Sequence, residues 1–202
     1  MIVTKRRSLR TVAVGAIAAT SVAMAGTAAM AATPVSQPSA PQAAAVNAGP
    51  SSWGSGTKTA PDRLTGGPVY LKSITTSRSA RYDRMVIDLS GGNGKLGYTI
   101  GYVGTFRADG SGKRIPVKGG AILQVSVNAL NYNPITGRQT YAGQTGKTLP
   151  GVNLTGYKAF KDTRFGVSFE GQTQLALGVR GKLPFRVSQS GHQLIVDVAR
   201  SW

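Results

Sequence analysis

One histidine, His192, one glutamate, Glu170, and six aspartates are the side chains of this 202-residue chain best suited to acid–base or metal chemistry, and there is no cysteine. This inventory excludes more than it admits. With no thiolate and a single imidazole, a nitrogen–sulfur metal site lacks ligands, and no aspartate run has calcium-loop spacing, so neither metal nor cofactor is expected. A Ser-His-Asp relay is disfavoured because His192 falls in Ser190-Gly191-His192-Gln193, a hairpin-turn sequence, and no Gly-x-Ser-x-Gly elbow occurs. Two carboxylates suffice for glycoside hydrolysis, and Asp83, Asp88, Glu170 and Asp197 are the acids from which such a pair could be drawn. Asp88 and Asp197, however, interrupt apolar strands, where a lone carboxylate serves as a cap or ion-pair partner; both read as structural acids. Asp83, between Tyr82 and Arg84, reads likewise as half of an edge ion pair. Gly143-Gln144-Thr145-Gly146-Lys147-Thr148 ends like a phosphate-binding loop, but Tyr141 stands where the first glycine must be and Leu149-Pro150-Gly151 where the helix must begin. No enzyme is expected.

What is left is binding chemistry. Residues 128–151 make a connection longer than an ordinary hairpin loop, and connections of that length tend to carry function or mobility. This one holds Asn131, Tyr132, Asn133, Arg138, Tyr141 and Lys147. A tyrosine face can cover the apolar face of a sugar while amides exchange hydrogen bonds with its hydroxyls, and the two cations would meet carboxylate or phosphate. These six residues are the expected ligand-binding set; a surface loop that binds nothing is the competing reading.

The elements that must position them are strands. From Val69 onward, short runs rich in Val, Ile, Tyr and Phe are punctuated by Gly, Asn, Asp and Pro, and no sustained 3.6-residue stripe occurs. Strands are expected at 69–76, 84–89, 96–103, 121–129, 156–160, 166–169, 174–179, 185–189 and 193–199. Asp109-Gly110 and Asn93-Gly94 read as hairpin pairs. The fold class is therefore all-β, a sandwich or barrel. Arg84-Met85-Val86-Ile87-Asp88-Leu89 and Gln193-Leu194-Ile195-Val196-Asp197-Val198 share one polar–apolar order, so these two strands should meet the same kind of environment.

Ahead of the strands lie two other segments. Lys5, Arg6, Arg7 and Arg10 precede an uncharged stretch of Ala, Val, Gly and Ile, and Ala29-Met30-Ala31 supplies small residues for cleavage between Ala31 and Ala32. That is the layout of an export signal at 1–31, too short and too diluted for a permanent membrane anchor. Residues 32–66, rich in Ala, Pro, Ser and Gly with Trp53 as their one aromatic, read as a disordered linker. The folded domain is then 67–202. The signal takes four of the 24 basic residues and none of the 7 acidic ones, leaving 20 against 7, a net +13. Such a field concentrates polyanions; outside a cell these are wall polymers, peptidoglycan carboxylates and anionic head groups, with nucleic acid the least expected. Charge that merely keeps the protein soluble is the competing reading.

Several motifs together carry a resemblance. Tyr82 to Leu89, Asp109-Gly110-Ser111-Gly112 leading into Val117 to Val125, Pro184-Phe185-Arg186-Val187 and Leu194 to Val198 resemble the AMIN-like domain of exported proteins in Gram-positive bacteria. The resemblance runs from about Val69 to Ala199. It implies a β-sandwich of two small sheets with internal pseudo-symmetry, to which the paired Asp88 and Asp197 strands would answer. It also implies a secreted or wall-associated, non-catalytic module binding peptidoglycan or an associated anionic wall polymer. A module receiving another envelope protein at a bare strand edge is the first rival, and a two-carboxylate wall hydrolase the second.

Overall fold

From Tyr82 to Ser90 every second residue is buried, with Asp83, Met85, Ile87 and Leu89 inward and Tyr82, Arg84, Val86 and Asp88 outward. This is the period of a strand with one wet face. A computed structural model of the chain describes residues 52–201, and among them it contains strands and loops but no helix. The expected signal, its Ala31–Ala32 junction and the linker up to residue 51 lie outside the described residues.

Eleven strands form three antiparallel sheets. In the five-stranded sheet, β1 (Lys58–Ala60), β6 (Tyr98–Val103), β7 (Ala121–Val127), β9 (Gln172–Val179) and β8 (Phe160–Phe169) follow in that spatial order. The four-stranded sheet runs β10 (Phe185–Ser190), β11 (Gln193–Ala199), β4 (Tyr82–Ser90), β3 (Tyr70–Arg78), and β2 (Arg63–Thr65) pairs with β5 (Asn93–Lys95) as a separate ribbon. One apolar cluster joins the two larger sheets, with Ile74, Met85, Ile87, Val187, Leu194 and Val196 from one and Ile100, Leu123, Val125, Leu175 and Leu177 from the other. The expected all-β sandwich is therefore observed.

The outer faces of the sheets differ. On the five-stranded sheet the connection 104–118 folds back, placing Phe106, Ala108 and Ile115 against Ala176, so β9 is buried on both sides from Thr173 to Val179. Asp162 pins the end of that connection by accepting from Lys118 N at 2.9 Å and pairing with Arg164 at 3.0 Å. Gly178 has to be glycine because a Cβ there would meet the Lys118 carbonyl. Among the described residues, the four-stranded sheet has no such lid.

The strand expectations at 69–76, 84–89, 96–103, 121–129, 174–179, 185–189 and 193–199 correspond to β3, β4, β6, β7, β9, β10 and β11. Three others need correction. The strand expected at 156–160 is a turn up to residue 159, and from Phe160 the chain runs through the strand expected at 166–169 as one strand, β8, whose irregularities between Phe160 and Asp162 and between Phe165 and Ser168 break the alternation that would have marked it as continuous. Asn93-Gly94 is no hairpin turn but half of the β2–β5 ribbon, with Gly94 beneath the Arg63 carbonyl. The linker expected to reach residue 66 is structured from 52: Lys58–Ala60 pairs with Tyr98–Ile100, and Gly54 exchanges backbone bonds with Phe185 at 3.0 and 3.2 Å. Composition concealed this segment because backbone hydrogen bonds hold it, with little side-chain burial.

These additions also interrupt the sheet edges. Gly54 lies on β10; the 144–147 segment bonds to Phe165 of β8; Leu71 of β3 donates to Leu130 before the strand bulges between Leu71 and Ser73, with Lys72 exposed. Part of the outer edge of β10, β8 and β3 is therefore occupied by the chain itself.

Candidate functional site

The open face of the four-stranded sheet is organised by a carboxylate that is only 1% exposed, Asp197. Arg84 from β4 donates to it through Nε at 2.6 Å and through a terminal nitrogen at 2.9 Å, and Arg186 from β10 donates through Nε at 2.9 Å. The hydrogen bond to Asp197 raises the Arg84 guanidinium above its ordinary pKa, outweighing the opposing effect of burial. One buried charge thus fixes two cations on neighbouring strands, and charge-assisted bonds of this kind hold the guanidinium planes in place.

Rings lie against those planes. Arg186 stacks 4.8 Å from the Trp53 centroid and 5.3 Å from Tyr82, and Arg84 lies 5.1 Å from Tyr82. Trp53 and Tyr82 approach to 6.1 Å at a 47° tilt. Beside them opens a cleft of about 790 Å³ lined by Trp53, Arg81, Tyr82, Pro184 and Arg186. Arg81 is exposed at its rim. The cluster joins aromatic faces to guanidinium groups, a combination that can accept a ring-bearing anionic ligand.

Register explains the environment of the two similar strands. In the β4–β11 pair Arg84 faces Asp197 and Asp88 faces Gln193, so the first residue of each motif meets the fifth of the other. Gln193 donates to Asp88 at 2.6 Å, matching the Arg84–Asp197 contact. A local two-fold axis relating the two motifs passes between Val86 and Ile195. Asp88 also accepts from Ser73 at 2.8 Å.

The same register separates the carboxylates. Asp88 and Asp197 sit four pairing positions apart on one face, roughly 13 Å at the strand rise, beyond the ~5–9.5 Å of a glycosidase pair. Asp83 points the other way, into the sandwich, where Ala159 N and Phe160 N donate to it at 2.6 and 3.3 Å and Arg200 pairs with it at 2.7 Å. Its ion pair is with Arg200 inside the sandwich and not at a sheet edge, and it ties the two sheets together. Glu170 occupies the β8–β9 turn with φ 48°, and His192 is exposed in the β10–β11 turn.

The expected binding loop divides. Asn131 and Tyr141 are buried, contrary to their assignment to a binding surface: Asn131 Nδ2 donates to the Tyr141 carbonyl at 3.3 Å, Tyr141 Oη donates to Pro150 at 2.9 Å, and the Tyr141 ring packs on Phe165. Their polar groups serve the loop's own fold. Asn133 caps the turn through Ile135 N and Thr136 N. Tyr132, Arg138 and Lys147 are exposed, with Ile135 at the tip. Sequence reading missed Trp53 and Arg186 as members of a cluster; the signal available was the lone aromatic in a segment otherwise without one. It also missed Asp162, whose neighbours Lys161 and Arg164 mark it as an ion-pair candidate.

The family model for the AMIN-like domain matches residues 69–200. The chain belongs to the AMIN-like domain family. AMIN-like domains point in general to peptidoglycan-related binding modules and are typical of exported envelope proteins. No curated protein and no solved structure matches the chain. Trp53 and the β1 strand precede the AMIN-like match, so the cleft is built from both the matched domain and the segment ahead of it.

Proposed function

We propose that this AMIN-like protein is an exported, non-catalytic module that holds to peptidoglycan or to anionic polymer associated with it. The observation that carries the reading is an asymmetry of charge. Each of the six aspartates accepts hydrogen bonds within the fold: Asp83, Asp162 and Asp197 from arginines, Asp62 from Gly97 N, Asp88 from Ser73 and Gln193, Asp109 from Gln174. Of the 20 basic residues beyond position 31, four are ion-paired and sixteen, among the described residues, are not. Three aspartates are buried against four arginines, while the sixteen other bases face only Asp62, Asp88, Asp109 and Glu170 as remaining acids, so the surface field is strongly positive. Arg138 and Lys147, with Tyr132 between the same strands, extend that field along the 128–151 loop.

Retention of the chain from residue 32 onward on purified sacculi, with and without teichoic acid, tests this reading. Retention at low salt is the expected result, and its absence refutes the reading. Loss of retention on stripping teichoic acid, with a steep dependence on salt, would assign the contact to the polymer charge.

A further inference from the structure

Trp53 is a large ring held in place yet left open. Gly54 anchors its backbone to β10 and Arg186 covers one face, but 42% of the residue remains exposed. Leaving that much apolar area in water forgoes stabilisation at roughly 25 cal/mol per Å². The ring sits at the mouth of the cleft, with Tyr82 and Pro184 as further apolar walls, Ser201 beside them and Arg81 at the rim. Arg81 has no ion-pair partner among the described residues, and Arg84 and Arg186 share the single carboxylate of Asp197, so the cleft keeps a positive charge.

We propose that the cleft binds a peptide-bearing saccharide unit of the wall glycan, with Trp53 covering the C–H face of the sugar ring and Arg81 pairing with a carboxylate of the attached peptide. The inference rests on the wall-binding reading and narrows it from charge to ring chemistry. A phosphate polymer is served by any of the unpaired surface cations and gains nothing from an open indole. A neutral glycan could stack on Trp53 but leaves Arg81 unused. Only a sugar ring joined to an acidic group engages both, and peptidoglycan, whose sugar bears a peptide with free carboxylates, is the source to which the proposal commits. The site is incomplete in the family-matched region, because its principal ring comes from the segment before residue 69.

The chain has two tryptophans, so Trp202→Phe leaves Trp53 as the sole indole reporter. Titration of that variant, from residue 32 onward, with a soluble disaccharide-peptide released from peptidoglycan should give a saturable change in emission. A chitooligosaccharide, lacking the carboxylate, should bind about tenfold more weakly, the loss of one charge-assisted hydrogen bond. Arg81→Gln should produce a similar loss for the disaccharide-peptide without changing thermal stability, since Arg81 is exposed; Trp53→Ala, followed by calorimetry and checked for folding by circular dichroism, should abolish binding. An unchanged emission with the disaccharide-peptide, or an equal saturable response to purified teichoic acid, overturns the proposal. If wild type and Trp53→Ala are equally retained on sacculi while the titration is flat, the cleft assignment falls and the wall-binding reading stands. If sacculi retain neither but the titration saturates, the reverse holds.

Discussion

Three aspartates do the work that disulfides cannot do in a chain without cysteine. Asp83 links β4 to the start of β8, Asp162 secures the 104–118 connection, and Asp197 clamps β4 and β10 across β11. Removing one partner of a buried ion pair strands the other charge, so Asp197→Ala should cost about 3 kcal/mol in urea unfolding, the lower end of the usual range because the two arginines are partly exposed. Asp88→Ala should cost only about 1 kcal/mol, since its partners Ser73 and Gln193 are neutral. Similar losses for the two variants would refute this account of the Asp197 clamp. That both acids need donors was legible in the sequence, because a carboxylate inside an apolar strand must find them. Which donors was not, as Arg84, Arg186 and Asp197 converge only through the register of three strands.

At the scale of elements, legibility followed side-chain alternation. Strands with one wet face, such as β4, announced themselves; β8, with its irregularities, read as two. The segment 52–60 was invisible because backbone bonds to Phe185 and to β6 fix it, and such bonds leave no compositional trace. The same limit hid the site, whose Trp53 sits in that segment. Turns were half legible. Glu170-Gly171 joins β8 to β9 with φ of 48° and 84°, the left-handed pair a two-residue hairpin turn demands. Glutamate is poorly suited to that region, where asparagine is tolerated. Glu170→Asn should therefore raise stability by roughly 0.5–1 kcal/mol, read as a shift of the thermal midpoint, and leave sacculus retention intact. A loss of stability would show that the Glu170 side chain makes a contribution the turn geometry does not reveal.

For the whole molecule, cohesion comes from the apolar core between the two sheets and the smaller cluster beneath the 104–118 connection, and its tyrosines set an upper pH limit. Burial pushes the Tyr102 phenol from its ordinary value of 10.0 up to about 12, and drives Tyr141 and Tyr98 upward as well. The folded protein keeps these protons where an unfolded chain releases them, so their contribution to stability is complete below about pH 10 and is lost as the pH rises towards 12. Part of the tyrosinate absorbance should accordingly appear only together with loss of the β-sheet circular dichroism signal; full ionisation of every tyrosine ahead of unfolding would contradict this. The charge asymmetry also belongs to this scale, since no single residue carries it. One last consequence is mechanical. Tension entering through the chain ahead of residue 52 reaches Trp53 first, then the Gly54–Phe185 bridge, and only afterwards the β1–β6 ladder. A load on that end would peel the indole from Arg186 while the sandwich behind it stayed intact, so the grip of the cleft and the integrity of the fold are set to fail in sequence and not together.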